Sequence, residues 1–185
     1  MTGKIKLNAA SGGGSVSFQA PSSTGDDRII TLPTTADGTV LTTTNPKAGN
    51  IIQVVYSNQS DFSTTSTNTF VDVTSATLNI TPSSSSNKIM VMFSCYIATN
   101  LVSGNNVRAN IKMLRDSTEL FLSLHAAGDS SGGLQTKQTC TQIAIDEPGD
   151  TSTHTYKIQA CNTNTSSTPS IGINDARLVA MEVAG

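Results

Sequence analysis

Apolar side chains recur at every second position over much of residues 51–184. The alternation is clearest in residues 76–81 and 107–113, where apolar residues alternate with Thr, Asn, Arg and Lys. A period of two is expected of a β-strand with one buried and one solvated face. Strand-like segments without a helical period between them predict a sandwich or jelly roll. The predicted strands are Ile51–Tyr56, Thr69–Val73, Ala76–Thr81, Lys88–Ala98, Val107–Arg115, Glu119–Leu124, Gln138–Ile145, Thr153–Cys161 and Arg177–Val183.

The segment Lys88–Ala98 (KIMVMFSCYIA) is apolar on both of its faces. One face carries Ile89, Val91, Phe93, Cys95 and Ile97, and the other carries Met90, Met92 and Tyr96. A strand that is apolar on both faces is expected to be buried on both. In a two-sheet domain, one face meets the core and the other requires a cover, which we expect to be a neighbouring subunit. The candidate interface residues are Met90, Met92, Tyr96 and, from the last strand, Met181.

Residues 1–48 have a different pattern, with short apolar stretches separated by Gly- and Pro-containing turns. The predicted strands are Lys4–Leu7, Ser15–Ala20, Arg28–Leu32 and Thr39–Thr43. So few apolar residues hardly offset the entropy of ordering the backbone. We therefore expect a β-rich arm that intertwines with other copies or lies along another surface, followed by a knob domain at residues 49–185. The arm residues expected to make these contacts are Ile5, Leu7, Val16, Phe18 and Ile29.

Composition agrees with an all-β protein and narrows the range of partners. Ser and Thr exceed a quarter of the 185 residues, and 13% are charged; Thr favours strands and Ser favours turns. A net charge of −2 without a basic cluster gives no attraction to nucleic acid or anionic lipid. The start of the chain lacks the apolar stretch of a signal peptide, and no segment approaches the roughly 20 apolar residues of a membrane span. We expect folding in a cytoplasm, without nucleic acid or membrane partners.

The sequence suggests neither a catalytic site nor a cofactor. The three cysteines, Cys95, Cys140 and Cys161, lie in predicted strands and are expected to be small buried residues. The two histidines, His125 and His154, have no metal-ligand spacing around them, and a packed role is expected of His154. The chain is therefore predicted not to be an enzyme.

Residues 146–150 (DEPGD) concentrate three carboxylates in a short segment. They lack the alternating oxygen ligands of a dedicated calcium loop, and Pro-Gly favours a hairpin turn, with a cation site as the alternative. A hydrolase acting on host polysaccharide is a minor alternative, because it needs two carboxylates held at a fixed separation.

Two parts of the sequence resemble known phage proteins. Residues 12–43 (GGGSVSFQAPSSTGDDRIITLPTTADGTVLTT) resemble a segment of tail-fibre and other virion proteins of cyanobacterial and marine phages. Residues 50–184 resemble the C-terminal knob of the same proteins, through segments such as ATLNITPSSSSNKIMVMFSCYI, IKMLRDSTEL, THTYKIQA and RLVAMEV. Each motif is moderately specific, and their shared order makes the resemblance persuasive.

The resemblance implies a homotrimer with a jelly-roll knob similar to the heads of tumour necrosis factor and complement C1q. It implies a virion protein that is assembled in the host cytoplasm. Because no repetitive shaft is present, we expect a capsid decoration (cement) protein whose arm binds the major capsid protein or another virion protein. A short tail or head fibre is the alternative. Its knob would bind a host-surface receptor such as a polysaccharide through loops at Thr99–Asn106, His125–Lys137 and Asn162–Ser170.

Overall fold

The fold is that of a computed structural model, which describes residues 4–8, 11–19, 25, 46–58, 60–64, 68–100, 107–127, 135–163 and 170–185. Every regular element in these ranges is a β-strand. The chain divides into two compact units, residues 1–40 and 41–185. The predicted boundary between arm and knob, at residue 48, falls inside the second unit.

The first unit contains an antiparallel pair of strands, β1 (Lys4–Asn8) and β2 (Ser15–Gln19). The connection between them includes Gly12 and Gly13, with φ angles of 83° and 69°. Glycine suits this turn because it has no Cβ to oppose a positive φ. Two of the four predicted arm strands are thus confirmed, and Arg28–Leu32 and Thr39–Thr43 lie outside the described residues.

The second unit contains nine described strands in two antiparallel sheets. The strands are β3 (Ile51–Tyr56), β4 (Ser60–Thr64), β5 (Val71–Ile80), β6 (Lys88–Asn100), β7 (Val107–Arg115), β8 (Thr118–Ala127), β9 (Gln135–Asp146), β10 (His154–Asn162) and β11 (Ser170–Val183).

The strand order of this unit is that of a jelly roll. One sheet has the order β3-β11-β6-β9, with β4 also paired to β11, and the other has the order β5-β10-β7-β8. If β4 is set aside and the other strands are renumbered along the chain, the orders are 1-8-3-6 and 2-7-4-5. Because consecutive strands mostly belong to opposite sheets, the chain passes back and forth between the two sheets, which enclose one core. The predicted all-β sandwich is confirmed.

The core lies between the two sheets and follows the predicted alternation. Ile89, Val91, Phe93, Cys95 and Ile97 of β6 are all 5% exposed or less. Across from them, the four-stranded sheet contributes Tyr156 and Ile158, which have no exposed surface. The Tyr156 hydroxyl donates to Asp146 at 2.6 Å, and Arg115 donates to the same carboxylate at 2.8 Å. The buried polar groups at this edge of the core are therefore paired.

Three details of the prediction are wrong. Thr69–Val73 and Ala76–Thr81 are not separate strands, because residues 71–80 form β5 with an irregularity near Ser75. Strand β4 was not predicted, since Phe62 is its only apolar residue. The Asp146–Asp150 segment is not a hairpin turn, because β9 and β10, which it connects, belong to different sheets.

Several strands extend into the segments predicted as long polar loops. β6 continues to Asn100, β8 continues to Ala127, and β9 begins at Gln135. β11 begins at Ser170, where a loop was expected to end. The central parts of the three predicted loops lie outside the described residues.

Candidate subunit interface

The face of the five-stranded sheet that points away from the core carries two adjacent rows of apolar side chains. The antiparallel registers place Val54, Met181, Met90 and Ile145 in one row across β3, β11, β6 and β9. They place Tyr56, Val179, Met92 and Ile143 in the next row. We call these eight residues the apolar face. It is about 14 Å wide, because neighbouring strands lie about 4.8 Å apart.

Much of this apolar surface is accessible to solvent. Tyr56 is 72% exposed, Ile145 is 67% exposed and Ile143 is 57% exposed. Val54 is 51% exposed, and the four central side chains on β6 and β11 are half-buried by their neighbours. Scattered apolar residues on a surface need no explanation, but a contiguous apolar patch marks an interaction site.

The same side of the sheet becomes polar beyond these two rows. Arg177, Ser94 and Thr141 form the next row, followed by Asn174, Tyr96 and Thr139. The Lys137 ammonium lies 5.7 Å from the centre of the Tyr96 ring. The surface thus combines an apolar part with a polar extension, as in protein interfaces with an apolar centre and a polar rim.

A cavity of about 270 Å³ opens at the border between the apolar and polar rows. Tyr56 and Val179 line its apolar side, and Ser57, Asn58 and Arg177 line its polar side. The Ser57 hydroxyl accepts a hydrogen bond from the Leu178 backbone at 3.0 Å, which fixes one wall. A side chain with an apolar stem and a polar end would match this lining.

At the other end of the rows, a buried carboxylate holds several segments together. Glu182 has no exposed surface. It accepts hydrogen bonds of 2.6 Å each from the Gln53 amide, the Ser83 backbone N–H and the Asn87 amide. Burial opposes ionisation, but these donors outweigh it and lower the pKa of Glu182. The network fixes β3 and the β5–β6 connection to the end of β11.

An ion pair marks the rim beside these rows. The Lys88 ammonium lies 2.7 Å from the Glu147 carboxylate, and both side chains are at least half exposed. The hydrogen bond from Lys88 lowers the pKa of Glu147. An exposed pair of this kind contributes little to stability, but it places charge at the edge of the apolar surface.

The structure brings together three of the four interface residues predicted in the knob. Met90, Met92 and Met181 are neighbours in the two apolar rows, and Tyr96 lies further along the same side of the sheet. The sequence interpretation missed Ile143 and Ile145. Their alternation with Gln142 and Ala144 suggests a core position, but the register with β6 turns both isoleucines outward.

In the arm, the pairing of β1 with β2 places Ile5 opposite Phe18 and Leu7 opposite Val16. Ile5 is 66% exposed, Leu7 is 56% exposed and Phe18 is 50% exposed. These are three of the five predicted contact residues, and they leave apolar surface open on the hairpin. Ile29 lies outside the described residues.

The carboxylates around His154 are engaged with protein partners. The ring nitrogens of His154 lie 2.9 Å from Asp116 and 3.2 Å from Asp150. The bond to His154 lowers the pKa of Asp116, and a backbone bond from Ser152 is the main cause of the lowered pKa of Asp150. His154 is buried on β10, as expected of a packed strand residue. Within the described ranges, no group of three His, Cys, Asp or Glu side chains is placed to hold a metal ion.

None of the described segments is a helix of the length and apolarity needed to cross a membrane. No protein-family model and no curated protein matches the sequence. Several solved structures of infectious bursal disease virus resemble it. They include the crystal structure of a VP2 subviral particle, with 14% identity, a TM-score of 0.42, and coverage of 92% of this chain and 42% of that one.

The structure of the Gx strain of the same virus has 14% identity and a TM-score of 0.40, over 94% of this chain and 42% of that one. The Gt strain structure has 13% identity and a TM-score of 0.39, over 90% of this chain and 41% of that one. This chain therefore spans less than half the length of the viral chains that it resembles, and TM-scores of this size do not establish a shared fold.

Proposed function

We propose that this chain is a structural protein of a bacteriophage virion, without enzymatic activity, that forms a homotrimer and decorates the capsid. The observation that carries the proposal is the apolar face, on which eight apolar side chains are contiguous on the outer side of a sheet. Covering them removes apolar surface from water, which stabilises the assembly by about 25 cal/mol for each Å² that is buried. A permanent partner provides that cover.

The partner that we propose is a second and a third copy of the same chain. The apolar face spans the sheet from β3 on one side to β9 on the other. When the edge of one copy packs on the face of the next, the contact is heterologous, and three copies related by a third of a turn close it into a ring. The choice of three copies rests on the resemblance of residues 50–184 to trimeric phage knobs.

The arm is proposed to attach the trimer to the virion. Ile5, Leu7 and Phe18 expose half or more of their surface on a hairpin with little apolar surface of its own to bury them. Within the described part of the arm, β1 and β2 pair only with each other, so the hairpin offers backbone groups for strand addition. The partner is the major capsid protein or another virion protein. No role for nucleic acid or a membrane is proposed.

Particle binding tests this function. Phage particles lacking the protein are mixed with the full chain or with a variant lacking residues 1–44, and gold-labelled antibody against the knob locates bound protein by electron microscopy. We expect gold over the head for the full chain and none for the shortened variant, with both proteins trimeric. Binding by the shortened variant would contradict attachment through the arm.

The position of the label separates the two virion roles. Label confined to the tail would make the protein a short fibre, whose knob is then a candidate for binding a host-surface polysaccharide. An absence of label on any part of the particle, with the full chain correctly folded and trimeric, would refute a virion role.

A further inference from the structure

Two cysteines lie directly opposite each other on neighbouring strands of the five-stranded sheet. The register of β6 with β9 pairs Cys95 with Cys140, and both side chains point into the core, with 5% and 2% of their surface exposed. Directly opposite residues on antiparallel strands have Cα atoms about 4.5 or 5.5 Å apart. Both distances fall inside the range of about 4.4–6.8 Å that a disulfide requires. The backbone is therefore already placed for a cross-strand bond.

The two thiols also contact each other. The hydrogen bond between them lowers the pKa of Cys140, and the same bond together with burial raises the pKa of Cys95. Cys140 lies on β9, the last strand in the order β3-β11-β6-β9, so we assign its thiolate, the form that attacks a disulfide, the first step. Cys161 lies on β10 in the other sheet, where burial raises its pKa.

We infer that Cys95 and Cys140 are a redox-sensitive site, at which a low-molecular-weight disulfide such as oxidised glutathione forms a disulfide across the β6–β9 pair. The Cys140 thiolate attacks one sulfur of the oxidant, forming a mixed disulfide and releasing the first glutathione thiolate. Cys95 then loses its proton and attacks the Cys140 sulfur, releasing the second. The two cysteines are oxidised, and one oxidised glutathione is reduced to two molecules of glutathione.

Access to the buried pair is supplied by the position of β9. This strand is the last in the sheet order β3-β11-β6-β9, so within the described part of the sheet its only ladder is the one with β6. A local opening of that single ladder is the route by which we expect the oxidant to reach the sulfurs. The bond then fastens an edge strand that carries Ile143 and Ile145 of the apolar face.

The circumstances in which the cysteine pair would meet an oxidant rest on the proposed function, whereas the formation of the disulfide itself does not. A virion protein is made in a reducing cytoplasm and later leaves the cell for an oxidising medium. The pair would remain reduced during folding and assembly, and would become cross-linked in the released particle.

The test uses the purified full chain. The reduced protein is incubated with oxidised glutathione under native conditions, then unfolded, labelled with a maleimide and weighed by mass spectrometry. We expect one labelled cysteine of the three in the chain, and a mass lower by two hydrogen atoms before labelling. We also expect a cross-linked peptide pair that contains Cys95 and Cys140. The oxidised protein should unfold several degrees higher than the reduced protein, and dithiothreitol should reverse the shift.

Matched variants identify the bond. Cys161→Ala should still lose two thiols on oxidation, whereas Cys140→Ala should lose none to an internal bond. Three labelled cysteines in the oxidised wild-type chain, glutathione that stays attached, or a cross-link to Cys161 would each overturn the inference. If a variant does not fold, the cross-linked peptides of the wild-type chain still identify which two cysteines are bonded. Because no particle is present, a failure here is distinct from a failure of the virion role.

Discussion

Glu182 is a carboxylate without exposed surface in a chain whose other buried groups are mostly apolar. Its charge is balanced by neutral donors, since Gln53, Ser83 and Asn87 all donate to it. A buried carboxylate is costly unless every oxygen is bonded. The position of the end of β11 therefore depends on the hydrogen bonds that the β5–β6 connection donates to Glu182.

The free energy of unfolding should consequently fall at acid pH, as Glu182 takes up a proton. Its pKa in the folded protein lies below the unfolded value of 4.5. The contribution is therefore present above that value and is lost as the pH falls through the folded pKa. We expect Glu182→Gln to lower the free energy of unfolding by about 2 kcal/mol at pH 7. The NH2 group of the new side chain would replace an acceptor oxygen and face the N–H donors that now bind Glu182. The difference from wild type should shrink in acid, which urea denaturation at several pH values would measure.

Glu119→Gln is the control, because Glu119 is half-exposed on β8 and lies 4.0 Å from Lys112. It should unfold like the wild type across the same pH series. A constant difference between Glu182→Gln and wild type at every pH would show that the charge of Glu182 is not what stabilises the fold.

At the scale of elements, two strands shift their alternation partway along. In β5 the buried positions are Val73 and then Ala76, and in β11 they are Ile173 and then Ala176. Each shift coincides with an irregularity in the register and with a residue at positive φ, namely Ser75 at 62° and Asp175 at 52°. The irregularity adds one residue to β11 and three to β5, and an odd number of extra residues restores the apolar side chains to the core face.

The bulge at Ser75 predicts an unusual ranking of substitutions. Ser75→Gly should keep the free energy of unfolding within about 0.5 kcal/mol of wild type, because relief of strain offsets the added freedom of the unfolded chain. Ser75→Val should lower it by about 1–2 kcal/mol, because a β-branched residue is strained at positive φ. Thermal or urea unfolding would measure both.

Thr77→Val is the matched control, since Thr77 is exposed two positions further along β5 in the ordinary alternation. It should unfold within about 0.5 kcal/mol of wild type, because valine suits a strand. If valine were tolerated equally at residues 75 and 77, the positive φ at Ser75 would not be required.

At the scale of the whole molecule, the two sheets of the knob differ in their outward faces. The five-stranded sheet carries the apolar face, whereas Leu122 is the one strongly exposed large apolar side chain recorded for the four-stranded sheet in the described residues. The four-stranded sheet presents polar groups such as Asp72, which accepts from Gln159 at 2.6 Å and from Lys157 at 3.2 Å. In the proposed trimer, this asymmetry assigns the interface to the five-stranded sheet.

The asymmetry predicts the effect of charge on assembly. Met92→Glu should weaken the trimer at least about 100-fold, roughly 3 kcal/mol, because an unpaired carboxylate would have to be buried at the interface. Light scattering after gel filtration would measure the change of mass. Leu122→Glu makes a similar change on the other sheet and should leave the trimer intact. A wild-type monomer, or dissociation by Leu122→Glu alone, would contradict the proposed interface.

The class of fold and most of the strands could be predicted from the amino-acid sequence alone. Residues 107–113 alternate without interruption, and there the predicted bounds and buried face agree with β7. For Lys88–Ala98 the predicted start and core-facing residues agree with β6, which runs two residues further, to Asn100. Alternation is a local property of the chain, so a sequence shows it directly. The doubly apolar Lys88–Ala98 also placed Met90 and Met92 on the surface that the structure leaves outside the core.

Which strands are neighbours, and which face of a strand such as β9 is turned inward, could not be predicted in this way. Ile143 and Ile145 alternate like core residues, yet the register with β6 turns Cys140 and Ala144 inward in their place. The pairing of Cys95 with Cys140, and the gathering of Gln53, Ser83 and Asn87 around Glu182, are likewise contacts between distant segments. A one-residue change of register reverses every side chain of a strand. Strand pairing, which depends on the whole jelly roll, therefore determines such positions.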